Sequence, residues 1–378
     1  MDLSARLLRL TPPRPLVVGA PGGTAARLAV ERAVRERGWQ PAMSPAEANI
    51  LVVAGLAGHT LEACVRQVWN LVPAPRARVD VVGREDVARL LDTALRVLGD
   101  VDQQRAEATR PPDADTDTGH VEAESHHDVT PDEHHGDHGH HGHDMGGMDM
   151  PGSVPMADRA DDRDGLTLDQ LHVPLGPVLP LWPAGLIVHT RLQGDVVQHV
   201  TVERLGAGGG SFWRPPGDDG PDVHRAVARW LDSSARLLAL AGWTDQSVVA
   251  MRLRDEALTG APAAALRRPL HRWAGRVRRS RTLRWLLAGI GSTPDDPTTP
   301  ALLAGDALTR LRRWLDSTEN ALEQPPAPLA VPGMRETQWT MDALPELLAG
   351  VELAAARLVV ASLDPDLDVL SRHEAHHG

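Results

Sequence analysis

The chain has 378 residues, of which 42% are hydrophobic, so it is long enough for two or three globular domains, each with its own core. Its one cysteine, Cys64, excludes an intramolecular disulfide and any CxxC site. The sequence contains no tyrosine and no lysine, which excludes chemistry that depends on either side chain.

The formal charge of −12 is unevenly distributed along the chain. Residues 101–170 hold 18 acidic residues and 4 arginines, a balance of −14 that leaves the rest of the chain at +2. The parts that are predicted to fold are therefore nearly neutral, which argues against nucleic-acid binding.

Residues 14–100 predict an α/β domain, a small parallel sheet with flanking helices. Short apolar runs bounded by glycine and proline are typical of buried strands, and helical patterns alternate with them. The predicted strands are Pro15–Ala20, Asn49–Gly55 and Arg78–Val82, and the predicted helices are Thr24–Gly38, Leu61–Leu71 and Asp86–Leu98.

Residues 101–165 predict a disordered acidic linker, because they have too few large apolar side chains to offset the entropy of ordering. Imidazole binds Zn, Ni and Cu, and thioether sulfur favours Cu(I). A disordered tract offers no fixed geometry, so weak, heterogeneous binding of Cu, Ni or Zn is expected, and a solubilising tether is favoured over a dedicated metal role. The candidate metal ligands are His126, His127, His134, His135, His138, His140, His141, His143, Met145, Met148 and Met150.

Residues 166–370 predict an α+β domain that is mostly helical and begins with a β-hairpin. An extended, proline-rich segment over Val173–Pro183 precedes two apolar runs that flank Gly194 and Asp195, a strong hairpin signal. The hairpin strands are expected over Leu186–Leu192 and Val196–Glu203, and helices are expected from Val223 and over 246–258, 263–289, 301–322 and 342–362.

Two further motifs have structural and functional interpretations. Gly19–Thr24 joins a strand to a helix, where backbone amides can hold a phosphate, but the GxGxxG and P-loop patterns are missing, so a tight turn is preferred. Arg267–Arg284 contains eight arginines, interleaved with Trp273 and followed by Trp285. This stretch predicts a solvated helix face, or a surface that docks an acidic partner or the chain's own linker.

The sequence has no run of eighteen apolar residues that could cross a membrane. Its longest uncharged stretch, Val173–Thr190, contains four prolines, and the first residues lack a signal-peptide pattern. We therefore expect a cytoplasmic protein without a transmembrane segment, held peripherally at the inner face of the cell membrane by partners.

Short stretches in both predicted domains carry recognisable motifs. Ser44–Gly55 is a predicted strand that ends in VAG, and Val68–Arg76 is the end of a helix followed by a PAPR turn. These stretches resemble the small cluster-bearing subunit of complex I, NADH-quinone oxidoreductase, which has a strand ending in VAG, a helix and an MPEPR-like turn. Gly176–Gly185 with the following hairpin resembles the opening of the large quinone-pocket subunit and of the related large subunit of nickel–iron hydrogenases. Leu353–Pro365 is similar to the closing segment of that large subunit.

The chain departs from these subunits at the residues that carry their redox chemistry. Gly22 and Gly23 stand where the small subunit has adjacent cysteines, and its later cysteines are missing, so no iron–sulfur cluster is expected. Leu179 and Trp182-Pro183 replace the quinone-contacting histidines, and the tyrosine of that pocket is missing. The hydrogenase CxxC pairs are missing too.

These observations favour a non-catalytic structural subunit of a complex-I-like membrane complex, with antiporter-like membrane subunits as partners and no expected cofactor. Two alternatives remain open. The first is a metal-handling protein that uses the His/Met-rich linker for Cu, Ni or Zn. The second is an active NADH-quinone oxidoreductase subunit that receives electrons from clusters elsewhere.

Overall fold

The computed structural model shows two lobes joined by an extensive interface. It describes residues 12–109, 159–161, 167–206, 210–214, 222–323 and 331–372. The first lobe is α/β, and the second is mostly helical with an antiparallel sheet, as predicted.

The sheet of the first lobe consists of three parallel strands, β1 (Pro15–Gly19), β2 (Ile50–Ala54) and β3 (Ala77–Val81), in that order. All five residues of the central strand β2 are buried, as expected for an apolar run that is covered on both faces. The three predicted strands are confirmed, each within a residue or two at its ends.

Four helices accompany this sheet: α1 (Thr24–Glu36), α2 (His59–Leu71), α3 (Val87–Gly99) and α4 (Val101–Thr109). Helices α1 and α3 pack on one face of the sheet. Helix α2 packs on the other face, together with Ile187 and Leu205 of the second lobe. The second lobe thus completes the core of the first.

Helix α4 occupies the first nine residues of the predicted disordered linker, which is a correction to its boundary. The helix is held by Gln104, whose buried amide donates to the carbonyl oxygens of Arg76 and Val97, both at 2.9 Å. Residues 110–158 of the predicted linker, with all the candidate metal ligands, lie outside the described residues.

The antiparallel sheet of the second lobe contains β4 (Arg159–Asp161), β5 (Thr167–Leu175), β6 (Leu186–Gln193) and β7 (Val196–Arg204), in sequence order. Strand β4 lies within residues 101–165, so the prediction of a disordered linker is wrong at this end as well. The predicted hairpin is confirmed as β6 and β7, with the turn glycine at φ +61°. The predicted proline-rich extended segment begins inside β5, where Pro174 lies opposite His189.

The helices of the second lobe are α5 (Val223–Leu240), α6 (Thr244–Leu258), α7 (Ala263–Arg279), α8 (Arg281–Leu287), α9 (Ala307–Glu323), α10 (Met334–Leu348) and α11 (Leu353–Leu363). Helices α5 to α9 share one apolar core, in which Trp230 and Trp314 stack with ring centroids 6.2 Å apart. Helix α10 packs on β7 of the antiparallel sheet, and α11 packs against α5, α9 and α10. None of the described helices is long and apolar enough to cross a membrane.

Three predicted helices have the wrong boundaries. The helix predicted over 263–289 is divided at Ser280, whose hydroxyl accepts a hydrogen bond from the backbone of Leu283 and begins α8. The helix predicted over 342–362 is divided at 349–352, because Gly350 and Val351 form backbone hydrogen bonds with Val197 of β7. The helix predicted from residue 301 begins at Ala307, because Gly305 instead pairs with Thr293.

Candidate functional site: the interface between the lobes

Apolar residues cross between the lobes in both directions. Leu28 of α1 is buried in the helical core of the second lobe. Ile187 and Leu205 of the second lobe are buried in the core beneath the first sheet. Because each lobe lends side chains to the core of the other, separating the lobes would expose apolar surface on both.

A group of buried charges lies at the centre of the interface. Asp232 of α5 is 0% exposed, and its carboxylate accepts hydrogen bonds from Arg254 at 2.6 Å and from Arg27 at 2.8 Å. Glu31, one turn from Arg27 on α1, bonds to the same two arginines at 2.7 Å. We call Arg27, Glu31, Asp232 and Arg254 the interlobe ion cluster.

The arginines keep the carboxylates of the cluster charged. Burial by itself would raise the pKa of Asp232, because the carboxylate loses its water. The charges of Arg27, Arg236 and Arg254 outweigh this effect and hold its pKa well below the ordinary value. The pKa of Glu31 is lowered for the same reason. Both carboxylates therefore remain ionised at neutral pH.

A second carboxylate, Asp364 at the end of α11, continues the ionic contacts inside the second lobe. It accepts hydrogen bonds from Arg229, Ser233 and Arg236, each at 2.5 Å. Arg236 also lies 3.4 Å from Asp232 and so links the two groups. The segment that resembles the closing part of the large subunit is thereby tied to the interlobe ion cluster.

The glycine turn before α1 contacts the second lobe directly. A Cβ atom on Gly23 would lie 2.1 Å from the carbonyl oxygen of Ala54, so the turn requires glycine for its close approach to β2. The Gly22 amide, which could have faced a phosphate, donates to the carboxyl of Asp368 at 2.8 Å. Burial and the charge of Asp366 raise the pKa of Asp368 to about 7. The structure agrees with the tight-turn interpretation.

A small polar cavity of about 40 Å³ lies between the lobes, beside Arg27, Arg236 and Asp368. This volume has room for about two or three water molecules, whereas small-molecule sites usually have roughly 300 Å³ or more. Trp182 lines the cavity and donates its indole hydrogen to the carbonyl oxygen of Leu186 at 2.8 Å. Its ring fills space near the position where the resemblance places a quinone-contacting histidine.

A larger cleft of about 580 Å³ opens at the carboxyl ends of the parallel strands. We call it the sheet-edge cleft; Gly22, Gly55 and Leu205 line it, and the side chains of Leu56 and Val82 stand at its rim. Leu56 is 72% exposed and Val82 is 61% exposed. The cleft therefore presents apolar surface to its surroundings.

The sheet-edge cleft lies where the resemblance to the small subunit places the iron–sulfur cluster. The residues present do not fit that group, because cluster iron requires thiolate ligands and the turn carries Gly22 and Gly23 instead. The sole cysteine, Cys64, lies half-buried on α2, and burial raises the pKa of its thiol.

The sequence singles out two other groups of candidate residues. The candidate ligands from His126 to Met150 lie outside the described residues, and their metal binding stays a prediction. Within the described ranges, no group of three or more His, Cys, Asp or Glu side chains could hold a metal ion. The arginine-rich stretch Arg267–Arg284 lies on α7 and α8, on the surface of the second lobe.

Sequence reasoning missed the interlobe ion cluster. Arg27 and Glu31 are four residues apart on a helix, a spacing typical of an exposed ion pair, and nothing marks Asp232 as their partner 205 residues away. The one available signal is the charged series Arg229, Asp232 and Arg236 among the apolar residues of α5. No protein-family model and no curated protein sequence matches this chain significantly.

Proposed function

We propose that the chain is a non-catalytic structural subunit of a complex-I-like membrane complex, related to NADH-quinone oxidoreductases and nickel–iron hydrogenases. The interlobe ion cluster is the observation that carries the proposal. Its carboxylates each bond to two arginines, across the line where two separate subunits of complex I would meet. The charges at this position select one orientation of the two lobes.

The free energy of the buried charges favours a fixed arrangement of the lobes, which is what a structural subunit needs. Removing charges from water costs several kcal/mol per ion, so a buried ion pair contributes little net stability but strongly disfavours arrangements that leave one charge unpaired. Asp232 and Arg254 are both fully buried, and besides pairing with each other each has a partner on the other lobe. The cluster therefore favours one orientation of the lobes, as a subunit that positions its neighbours requires.

The chain also lacks the residues that the resembled subunits use for electron transfer. Its single cysteine cannot bind a cluster, it has no tyrosine, and Trp182 occupies the interlobe cavity. That cavity of about 40 Å³ is too small for a quinone ring. These features support a role without catalysis.

The rim of the sheet-edge cleft supports assembly with a partner. Leu56 and Val82 are large apolar side chains that remain mostly exposed in the isolated chain, and both lie at the same cleft. Burial of such side chains contributes about 1.5–3 kcal/mol each when a partner covers them completely. We assign this rim to contact with an antiporter-like membrane subunit.

Affinity purification of the tagged full chain from detergent-solubilised membranes tests the proposal. We expect antiporter-like membrane subunits in the eluate and no iron bound to this chain. The variant L56D/V82D should lose these partners, because a carboxylate at the rim cannot be buried without a large cost. The matched control M43D/L71D changes two exposed apolar residues that do not line the cleft, and it should retain them.

Three results would contradict the proposal. Stoichiometric iron on the purified chain would indicate a redox subunit. Recovery of the chain alone with stoichiometric copper, nickel or zinc would instead favour metal handling through the His/Met-rich segment. Equal loss of partners from both double variants would show that the cleft rim is not the contact.

A further inference from the structure

We propose that the exposed face of α7 and α8 binds the surface of an anionic lipid membrane, with the indole of Trp285 in the headgroup region. This face is the solvent side of two helices whose other side packs in the helical core of the second lobe. None of its residues lines the interlobe cavity or the sheet-edge cleft. The inference does not depend on the proposed complex-I-like assembly.

The charge along α7 and α8 is of one sign, and the nearest acidic side chains, Glu319 and Glu323, come from the neighbouring helix α9 and border the stretch at Arg268 and Arg272. Residues 260–294 contain eight arginines and no acidic residue. On α7 the arginines recur at positions i, i+4, i+8 and i+11, which places them on one side of the helix. These residues, which we call the arginine stripe, are all exposed: Arg268, Arg272, Arg276 and Arg279.

The stripe is not neutralised within the described part of the chain. Of the arginines on α7, Arg278 forms ion pairs with Asp316 and Glu319 of α9, both at 2.5 Å. No ion pair of the described residues includes a member of the stripe, nor Arg281 or Arg284 of α8. The uncompensated positive charge continues from α7 onto α8.

Trp285 adds an apolar group at the end of this charged face. It is 82% exposed, whereas its neighbours Leu283 and Leu287 are buried in the core and fix α8 in place. Arg281 lies one helical turn before it, and Arg284 is its exposed neighbour in sequence. The indole is thus held away from the core, beside positive charge.

This combination favours a lipid surface over other acidic partners. The acidic segment of the same chain complements the charge, but it has few large apolar side chains to cover an exposed indole. An anionic bilayer supplies both a continuous negative potential and an interfacial region in which tryptophan is favoured. Arginine-rich helices with an exposed tryptophan bind membranes through these two contributions.

Sedimentation of the full chain with lipid vesicles tests the inference. We expect the protein to bind phosphatidylcholine vesicles that contain phosphatidylglycerol, and not vesicles of phosphatidylcholine alone. Each arginine near an anionic surface contributes roughly a fivefold increase in affinity, so R268S/R272S/R276S should weaken binding on the order of 100-fold. The variant W285S, which leaves the charge of the face unchanged, should also weaken vesicle binding.

The matched control is R84S/R89S/R96S, which removes the same charge from exposed arginines of the first lobe. It should bind anionic vesicles as the unchanged protein does, and all variants should keep the same melting temperature because the altered side chains are exposed. Absence of binding to anionic vesicles at physiological salt would overturn the inference, as would equal weakening by the control. The unchanged chain could instead fail to bind vesicles and capture a protein from a membrane extract that the stripe variant does not capture. In that case the face docks an acidic protein, and the inference is wrong.

Discussion

Asp368 shows how one residue of the second lobe depends on the first. Its carboxyl is buried, accepts a hydrogen bond from the Gly22 amide at 2.8 Å, and has a pKa raised to about 7 by burial and by Asp366. The pKa of an aspartate in an unfolded chain is about 3.9. Between these values the folded state binds more protons, so the contribution of Asp368 to stability decreases as the pH rises.

The variant D368N should lose this pH dependence, because an amide does not titrate while its oxygen can still accept from Gly22. Between pH 5 and pH 8, we expect the free energy of unfolding of the unchanged protein to fall by about 2 kcal/mol more than that of D368N. Urea unfolding of both proteins at the two pH values measures the difference. The other titrating groups contribute equally to both proteins and therefore cancel. Parallel pH profiles would show that Asp368 is ionised throughout this range.

At the scale of elements, most of the first lobe was predictable. Its strands are continuous apolar runs between glycine and proline, and this pattern needs no knowledge of distant contacts. Helix α4 was not predictable in the same way, because it is held by hydrogen bonds from Gln104 to Arg76 and Val97 rather than by an apolar face. The interlobe ion cluster was missed because its residues are far apart in sequence.

The division between α7 and α8 has a local cause that sequence periodicity does not show. Buried apolar residues keep a helical spacing from Leu266 to Val277 and resume at Leu283, and between them Ser280 has an extended backbone and its hydroxyl caps α8. Capping residues compete with helix continuation by bonding to nearby backbone amides. Tertiary contacts acted similarly at 349–352, where the backbone pairs with β7.

Replacing this cap should weaken the second lobe. The variant S280A leaves the amide of Leu283 without its partner at 3.2 Å, and we expect a loss of about 1 kcal/mol in the free energy of unfolding. Denaturant unfolding measures it, with S292A as the control, since that hydroxyl is exposed and caps no helix. If S280A and S292A are equally stable, packing rather than capping divides the helices.

For the whole molecule, the interface makes the two lobes a single structural unit. Each lobe completes the core of the other through Leu28, Ile187 and Leu205, and the interlobe ion cluster fixes their orientation. A domain pair joined only by a flexible segment would unfold in two independent steps. The structure instead requires that loss of one lobe expose and destabilise the other.

The contribution of the cluster can be separated from that of an ordinary surface pair. The variant D232N removes the charge that faces Arg27 and Arg254 in a fully buried position, and we expect a cost of about 3–5 kcal/mol. The control D92N removes the exposed partner of Arg37 and should cost about 1 kcal/mol or less.

Differential scanning calorimetry of the full chain, beside D232N and D92N, tests the central claim that the lobes form one unit. The account predicts one cooperative transition for the unchanged protein, with equal calorimetric and van't Hoff enthalpies, and a marked fall in melting temperature for D232N alone. Two separate transitions in the unchanged protein, or D232N melting at the same temperature as D92N, would contradict it.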